Sequence, residues 1–198
     1  MTVAIIYETH STTTDNEAGI ATGWLPGRLS EQGRRQAGEL GQRHRGEGIA
    51  AVFVSDLARA VETAAIAFGG SGIPIQQDAR LRECNYGALN GMPAARLAAE
   101  RFRHIDAPYP GGQSYRQVVD EMRGFLRALA AKWNGRRVVV IAHSANKWAL
   151  DCLLNGATLE DLVDAPFGWQ EGWHYTLPPG WTCEDPLTAG QADTAERD

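Results

Sequence analysis

The stretch RRVVVIAHS, residues 136–144, limits the possible folds more than any other part of the chain. Its continuous Val/Ile run is too short for a helix and has no polar alternation, so it reads as a strand buried on both faces, as in parallel sheets covered by helices. Residues 2–7 (TVAIIY) form a second run of this kind, and residues 50–54 a third that ends at Ser55. Polar residues begin immediately after each run. His10 and His143 therefore each stand just past the end of a buried strand.

Helical patterns fill the intervals. Ser30 is placed to cap a helix through EQGRRQAGELGQRH, with Ala37, Leu40 and Gly41 at helical spacing. A second helix is predicted from Asp56 to Phe68, closed by Gly69 and Gly70, and a short extended piece over Ile73–Ile75 follows. A further helix is expected over Ala94–Arg103. Pro108, Pro110, Gly111 and Gly112 then break the chain before a long helix from Ser114 to Trp133, apolar along Val118, Val119, Met122, Phe125, Leu126 and Leu129. Residues 144–155 can form a helix, and GWHYTL reads as a last strand, with Trp173 and Tyr175 alternating against His174 and Thr176. Strands alternating with helices predict an α/β fold, a three-layer α/β/α sandwich around a mostly parallel sheet, with any site at the carboxyl ends of the strands. Residues 1–181 read as one domain; residues 182–198 are polar, without apolar periodicity, and read as a disordered tail.

Composition removes other classes. Nineteen Lys and Arg against 24 Asp and Glu give a net charge of -5, the wrong sign for a nucleic-acid-coating or polybasic membrane protein. Lys132 and Lys147 are the only lysines, so the cations are arginines, the better bidentate partners for phosphate or carboxylate. Cys84, Cys152 and Cys183 are widely spaced without a C-x-x-C pair, which indicates neither a disulfide framework nor a zinc site. With no signal-peptide or membrane-spanning pattern, a reducing cytoplasm is the expected location. Trp148, Trp169, Trp173 and Trp181 read as structural aromatics.

Several segments together resemble the histidine phosphatase superfamily, whose other well-known branch is the cofactor-dependent phosphoglycerate mutases. The family opens with Arg-His-Gly at a strand end and an Asn six residues after the His; here Thr9-His10-Ser11 and Asn16 hold those places. Gly23-Trp24 and LSEQGRRQA, Leu29–Ala37, match the next segment. SDLARAVETA, Ser55–Ala64, resembles the segment whose Arg binds the phosphoryl group, which lands on Arg59; LRECNYG, Leu81–Gly87, resembles the segment carrying the proton-donating carboxyl, which lands on Glu83. PGGQS, Pro110–Ser114, has Gln113 for the family's Glu. IAHS places the second histidine at His143, with Ser144 for Gly.

The resemblance implies a phosphoglycerate mutase-like fold and a phosphatase of a small phosphomonoester, acting through a phosphohistidine on His10 with no cofactor and no metal. His10, Arg59, Glu83 and His143 are the implied catalytic set, and Thr9, Ser11, Asn16 and Ser144 the implied substrate-binding residues. The chain is short for the mutase branch. A neutral imidazole is a competent nucleophile near neutral pH; a planar Arg and a hydrogen-bonding His suit the phosphoryl oxygens; a carboxyl can protonate the leaving group and then activate water. The main departure is Thr9, which stands where the family has a phosphate-clamping Arg, with Glu8 beside it. Losing one preorganised donor costs on the order of 10² to 10³ in rate. The alternatives are a site repurposed for other chemistry and a ligand-binding pseudoenzyme, or a replacement of the lost contact by Arg28 or Arg82. The expected partner is a small phosphorylated molecule, with no nucleic acid or membrane involved, and a homodimer is compatible with the sequence.

Overall fold

The computed structural model describes residues 1–182, and the reading of a disordered tail lies, beyond Thr182, outside the described residues. In chain order the first half contains strand β1 (Val3–Thr9), the one-turn helix α1 (Thr14–Glu17), strand β2 (Ile20–Ala21), helix α2 (Glu31–Arg43), strand β3 (Ile49–Val54) and helix α3 (Ala58–Phe68). The second half adds strands β4 (Ile75–Gln77) and β5 (Met92–Pro93), helices α4 (Ala94–Ala98) and α5 (Tyr115–Lys132), strand β6 (Arg137–Ala142), helices α6 (Ser144–Asn155) and α7 (Leu159–Val163), and strand β7 (Trp173–Leu177). Five strands make the main sheet in the order β4-β3-β6-β1-β7. The first four are mutually parallel, and β7 runs antiparallel to β1 at the edge.

The unbroken apolar runs are explained by what covers each face. Val138, Val140 and Ala142 of β6, with Ile5 and Tyr7 of β1, join the core under α5 and α6. The alternate residues Val139, Ile141 and Ile6 join a second core under α2 and α3. A strand covered on both sides has no polar face, which is why period-two alternation is missing from β1, β3 and β6 and present in the edge strand β7. The expected three-layer, mostly parallel α/β architecture is the one observed.

Two predicted helices differ in extent. The one expected from Asp56 starts at Ala58, because Ser55 Oγ accepts the Leu57 N–H at 3.3 Å and the Asp56 carboxylate is taken by Arg82 at 2.7 and 2.6 Å. The one expected over Ala94–Arg103 stops at Ala98 and gives way to a 3-10 turn over Arg101–His104. Leu97 is the buried residue of α4, whereas Phe102 faces outward, so no apolar stripe holds a longer helix to the core.

Helix α2 presses on the loop after β1. Ser30 caps it by accepting the Gly33 N–H at 3.1 Å, and the Ser30 N–H reaches the Thr12 carbonyl at 3.0 Å. A Cβ at Gly33 would lie 1.9 Å from that carbonyl oxygen, so this approach requires glycine.

Candidate active site

Parallel pairing brings the two histidines together. Thr9 of β1 is in register with Ala142 of β6, so the next residues, His10 and His143, leave neighbouring strands at the same level. The His10 N–H continues the ladder to the Ala142 carbonyl at 3.0 Å, and the two rings lie 5.0 Å apart between centroids. Val54 of β3 is level with Ile141, which puts Ser55 at the same edge. Arg59, in the first turn of α3, extends its guanidinium into this group and is 3% exposed.

The hydrogen bonds define the ring tautomers. A guanidinium can only donate, so Arg59 Nε, 3.2 Å from His10 Nε2, makes that nitrogen an acceptor. A neutral ring then carries its proton on Nδ1, which lies 2.8 Å from the Ser11 carbonyl, a group that can only accept. By the same logic His143 Nδ1 accepts from Arg59 Nη2 at 3.3 Å, and its Nε2–H donates to Ser55 Oγ at 2.9 Å. Burial, reinforced by the Arg59 charge, lowers the pKa of His10 to about 3 and holds His143 well below the ordinary imidazole value. Both rings are neutral at physiological pH. Burial also pulls Arg59 down from its ordinary value. Its Nη2 reaches the Gly23 carbonyl at 2.9 Å, while its buried Nη1 has no hydrogen-bond partner among the described residues.

Glu83 is fixed by three donors. Its Oε1 accepts the N–H groups of Cys84 at 2.8 Å and Ala145 at 3.3 Å, and its Oε2 accepts from Ser144 Oγ at 3.0 Å. The carboxyl group thus sits at the amino end of α6. All eight residues singled out from the sequence converge: Thr9, His10, Ser11, Asn16, Glu83, His143 and Ser144 line one cavity of about 440 Å³, and Arg59 reaches the histidines beside it. Asn16 also closes a capping box with Thr13, and the Ser11 N–H donates to Thr63 Oγ1 at 3.1 Å.

Comparison with known proteins agrees with this geometry. The sequence profile of the histidine phosphatase superfamily (branch 1) matches residues 9–170. The chain belongs to the histidine phosphatase superfamily. A 2,3-bisphosphoglycerate-dependent phosphoglycerate mutase of Methylobacterium sp. strain 4-46 is 31% identical over 173 residues, covering 80% of this chain and 83% of the relative. Phosphoserine phosphatase 1 of Hydrogenobacter thermophilus is 28% identical, with 79% of this chain and 78% of that protein covered. Among solved structures, YhfR of Bacillus stearothermophilus superposes with a TM-score of 0.77 at 28% identity, over 85% of this chain and 88% of that one. The mycobacterial glucosyl-3-phosphoglycerate phosphatase, solved with VO3, gives 0.70 at 26% identity, over 82% and 85%.

Several features of this superfamily member's site are not marked in the sequence. Trp148, Phe167 and Trp169, which read as structural or went unread, wall the cavity, and Trp169 is 59% exposed. Tyr7, two residues before Thr9, donates its hydroxyl to the His143 carbonyl and so braces that histidine from beneath. Glu8, beside Thr9 at the strand end, is buried against His44 and Arg43. Neither proposed substitute for the missing clamp serves. Arg82 is bound by Asp56 and lies 4.6 Å over the Trp24 ring, and Arg28 is not among the residues lining the cavity. No helix among the described residues is long and apolar enough to cross a membrane.

Proposed function

We propose that this chain hydrolyses a small phosphomonoester through a phosphohistidine on His10. The observation that carries the reading is the state of His10 Nε2: with Nδ1–H held by the Ser11 carbonyl and the pKa at about 3, Nε2 keeps its lone pair at neutral pH and points at Arg59. In the first step that lone pair attacks phosphorus, an N–P bond forms, the ester P–O bond breaks, and the departing oxygen takes a proton from Glu83. In the second, Glu83 takes a proton from water, the hydroxide forms a P–O bond, the N–P bond breaks, and orthophosphate leaves with His10 neutral again. Arg59, whose Nη1 makes no hydrogen bond among the described residues, answers the equatorial oxygen charge, and His143, accepting from Arg59 Nη2 at 3.3 Å, holds that guanidinium in place. The phosphatases and mutases among the relatives support the same reaction class.

Phosphate release from p-nitrophenyl phosphate and from an alkyl phosphate tests the reading. His10→Ala should fall to background on both. In kcat/KM, which reports the first step alone, Glu83→Gln should lose about 10²-fold or more on the alkyl ester, whose alkoxide needs the proton, and far less on the aryl ester. An active His10→Ala variant, or equal losses on the two esters, would overturn these assignments.

A further inference from the structure

Two arginines line the cavity, and they differ in what they meet. Arg43 is committed to carboxylates, with Nη2 3.2 Å from Glu8 and Nη1 3.7 Å from Glu171. Arg101 meets none among the described residues. Its guanidinium lies 5.3 Å over the Trp148 ring, and its Nε is buried without a hydrogen-bond partner among the described residues. Its neighbour Arg103, by contrast, is exposed and paired with Glu100. Arg101 owes this placement to the break after α4: the 3-10 turn puts Arg101 on the cavity and Phe102 outside, where a continuous helix had been expected. Trp148 stands one helical turn beyond Ser144 on α6, and Ser144 holds Glu83, so Arg101 is on the Glu83 side of the cavity. A buried donor without a partner destabilises a fold, and an unpaired guanidinium on a cavity wall is matched by an anion that enters it.

We propose that Arg101 is an anion-binding residue of this site, taking an anionic oxygen of the bound ester and supplying from the 3-10 turn over Arg101–His104 the cation that Thr9 does not. This rests on the reading of the cavity as a phosphomonoester site. The oxygen can belong to the phosphoryl group or to a carboxylate on the leaving group; a planar guanidinium serves either.

Calorimetric titration of the full chain with orthophosphate separates the sources. Arg101→Gln should weaken orthophosphate by about tenfold or more, the low end of what one positioned donor contributes, and adding Thr9→Arg should restore it. Unchanged orthophosphate binding, with kcat/KM reduced about tenfold for phosphoglycolate and not for p-nitrophenyl phosphate, assigns Arg101 to the leaving-group anion and also supports the proposal. If neither quantity moves in a variant that melts like the parent, Arg101 merely packs on Trp148 and the proposal is wrong. Should Arg101→Gln not fold, Arg101→Lys keeps the stem and charge but loses the fork, and the same losses are expected at about threefold; no change there overturns the proposal equally. Orthophosphate that binds through Arg101 while no phosphohistidine forms would remove the hydrolytic reading and leave this one standing.

Discussion

Glu8 and His10 stand two residues apart on the same strand end, and the charges around them are handled in opposite ways. Glu8 is 2% exposed, and its carboxylate meets His44 Nε2 at 2.8 Å and Arg43 at 3.2 Å, while the other nitrogen of His44 meets Glu47 at 3.1 Å. At His10 the buried cation is Arg59, which touches two neutral rings and a carbonyl and leaves Nη1 without a hydrogen-bond partner among the described residues. One end of the cavity closes its own charges. The other keeps a desolvated cation open beside a nucleophilic nitrogen, at a cost in stability that a bound anion offsets.

If the open end serves a ligand and the closed end serves the fold, variants at the two ends should separate activity from stability. The largest effect is expected at the open end. Arg59→Ala should lower kcat/KM by about 10² to 10³ while the melting temperature holds or rises, since an uncompensated buried cation has been removed. A melting temperature several degrees lower with modest kinetic loss would make Arg59 structural and erase the comparison. At the closed end, Glu8→Gln should destabilise by about 3 kcal/mol in denaturant unfolding, because it strands His44 and Arg43, while kcat of the folded protein changes far less than in Arg59→Ala. The smallest effect sharpens the same contrast through pH. The hydrogen bond to Glu8, ahead of the opposing effect of burial, raises the pKa of His44 above its ordinary 6.5. A raised folded-state pKa means that this stabilisation is complete below about pH 6.5 and is lost as pH climbs through the folded value. Unfolding free energy should therefore decline above pH 6.5 in the parent, and that component of the decline should be missing in His44→Gln.

The same division marks what could be read from the chain. Strands buried on two faces advertise themselves as apolar runs, and a residue just past such a run must lie at the sheet edge, so His10, His143 and Ser55 were placed by local pattern alone. Arg59, Glu83 and Asn16 followed from the segments shared with the family. Pairings closed by the tertiary fold leave no such trace. His44 lies 36 residues from Glu8 and meets it only because α2 packs beside β1. Arg101 was hidden for a local reason: its segment reads as a helix until the absence of a second buried apolar residue ends α4 at Ala98. Trp148 counts as core by its burial and still walls the cavity, which composition cannot distinguish.

The central claim is that His10 Nε2 is a nucleophile and not merely a hydrogen-bond acceptor for Arg59. Rapid acid-free quenching of the enzyme mixed with a ³²P-labelled phosphomonoester, followed by mapping of the label, tests it directly. An acid-labile, base-stable phosphoryl group is expected on His10, formed within the first turnover, persisting longer in Glu83→Gln because the second step lacks its base, and absent from His10→Ala. Steady phosphate release with no phosphoenzyme at any time point, or label carried by another residue, would contradict it.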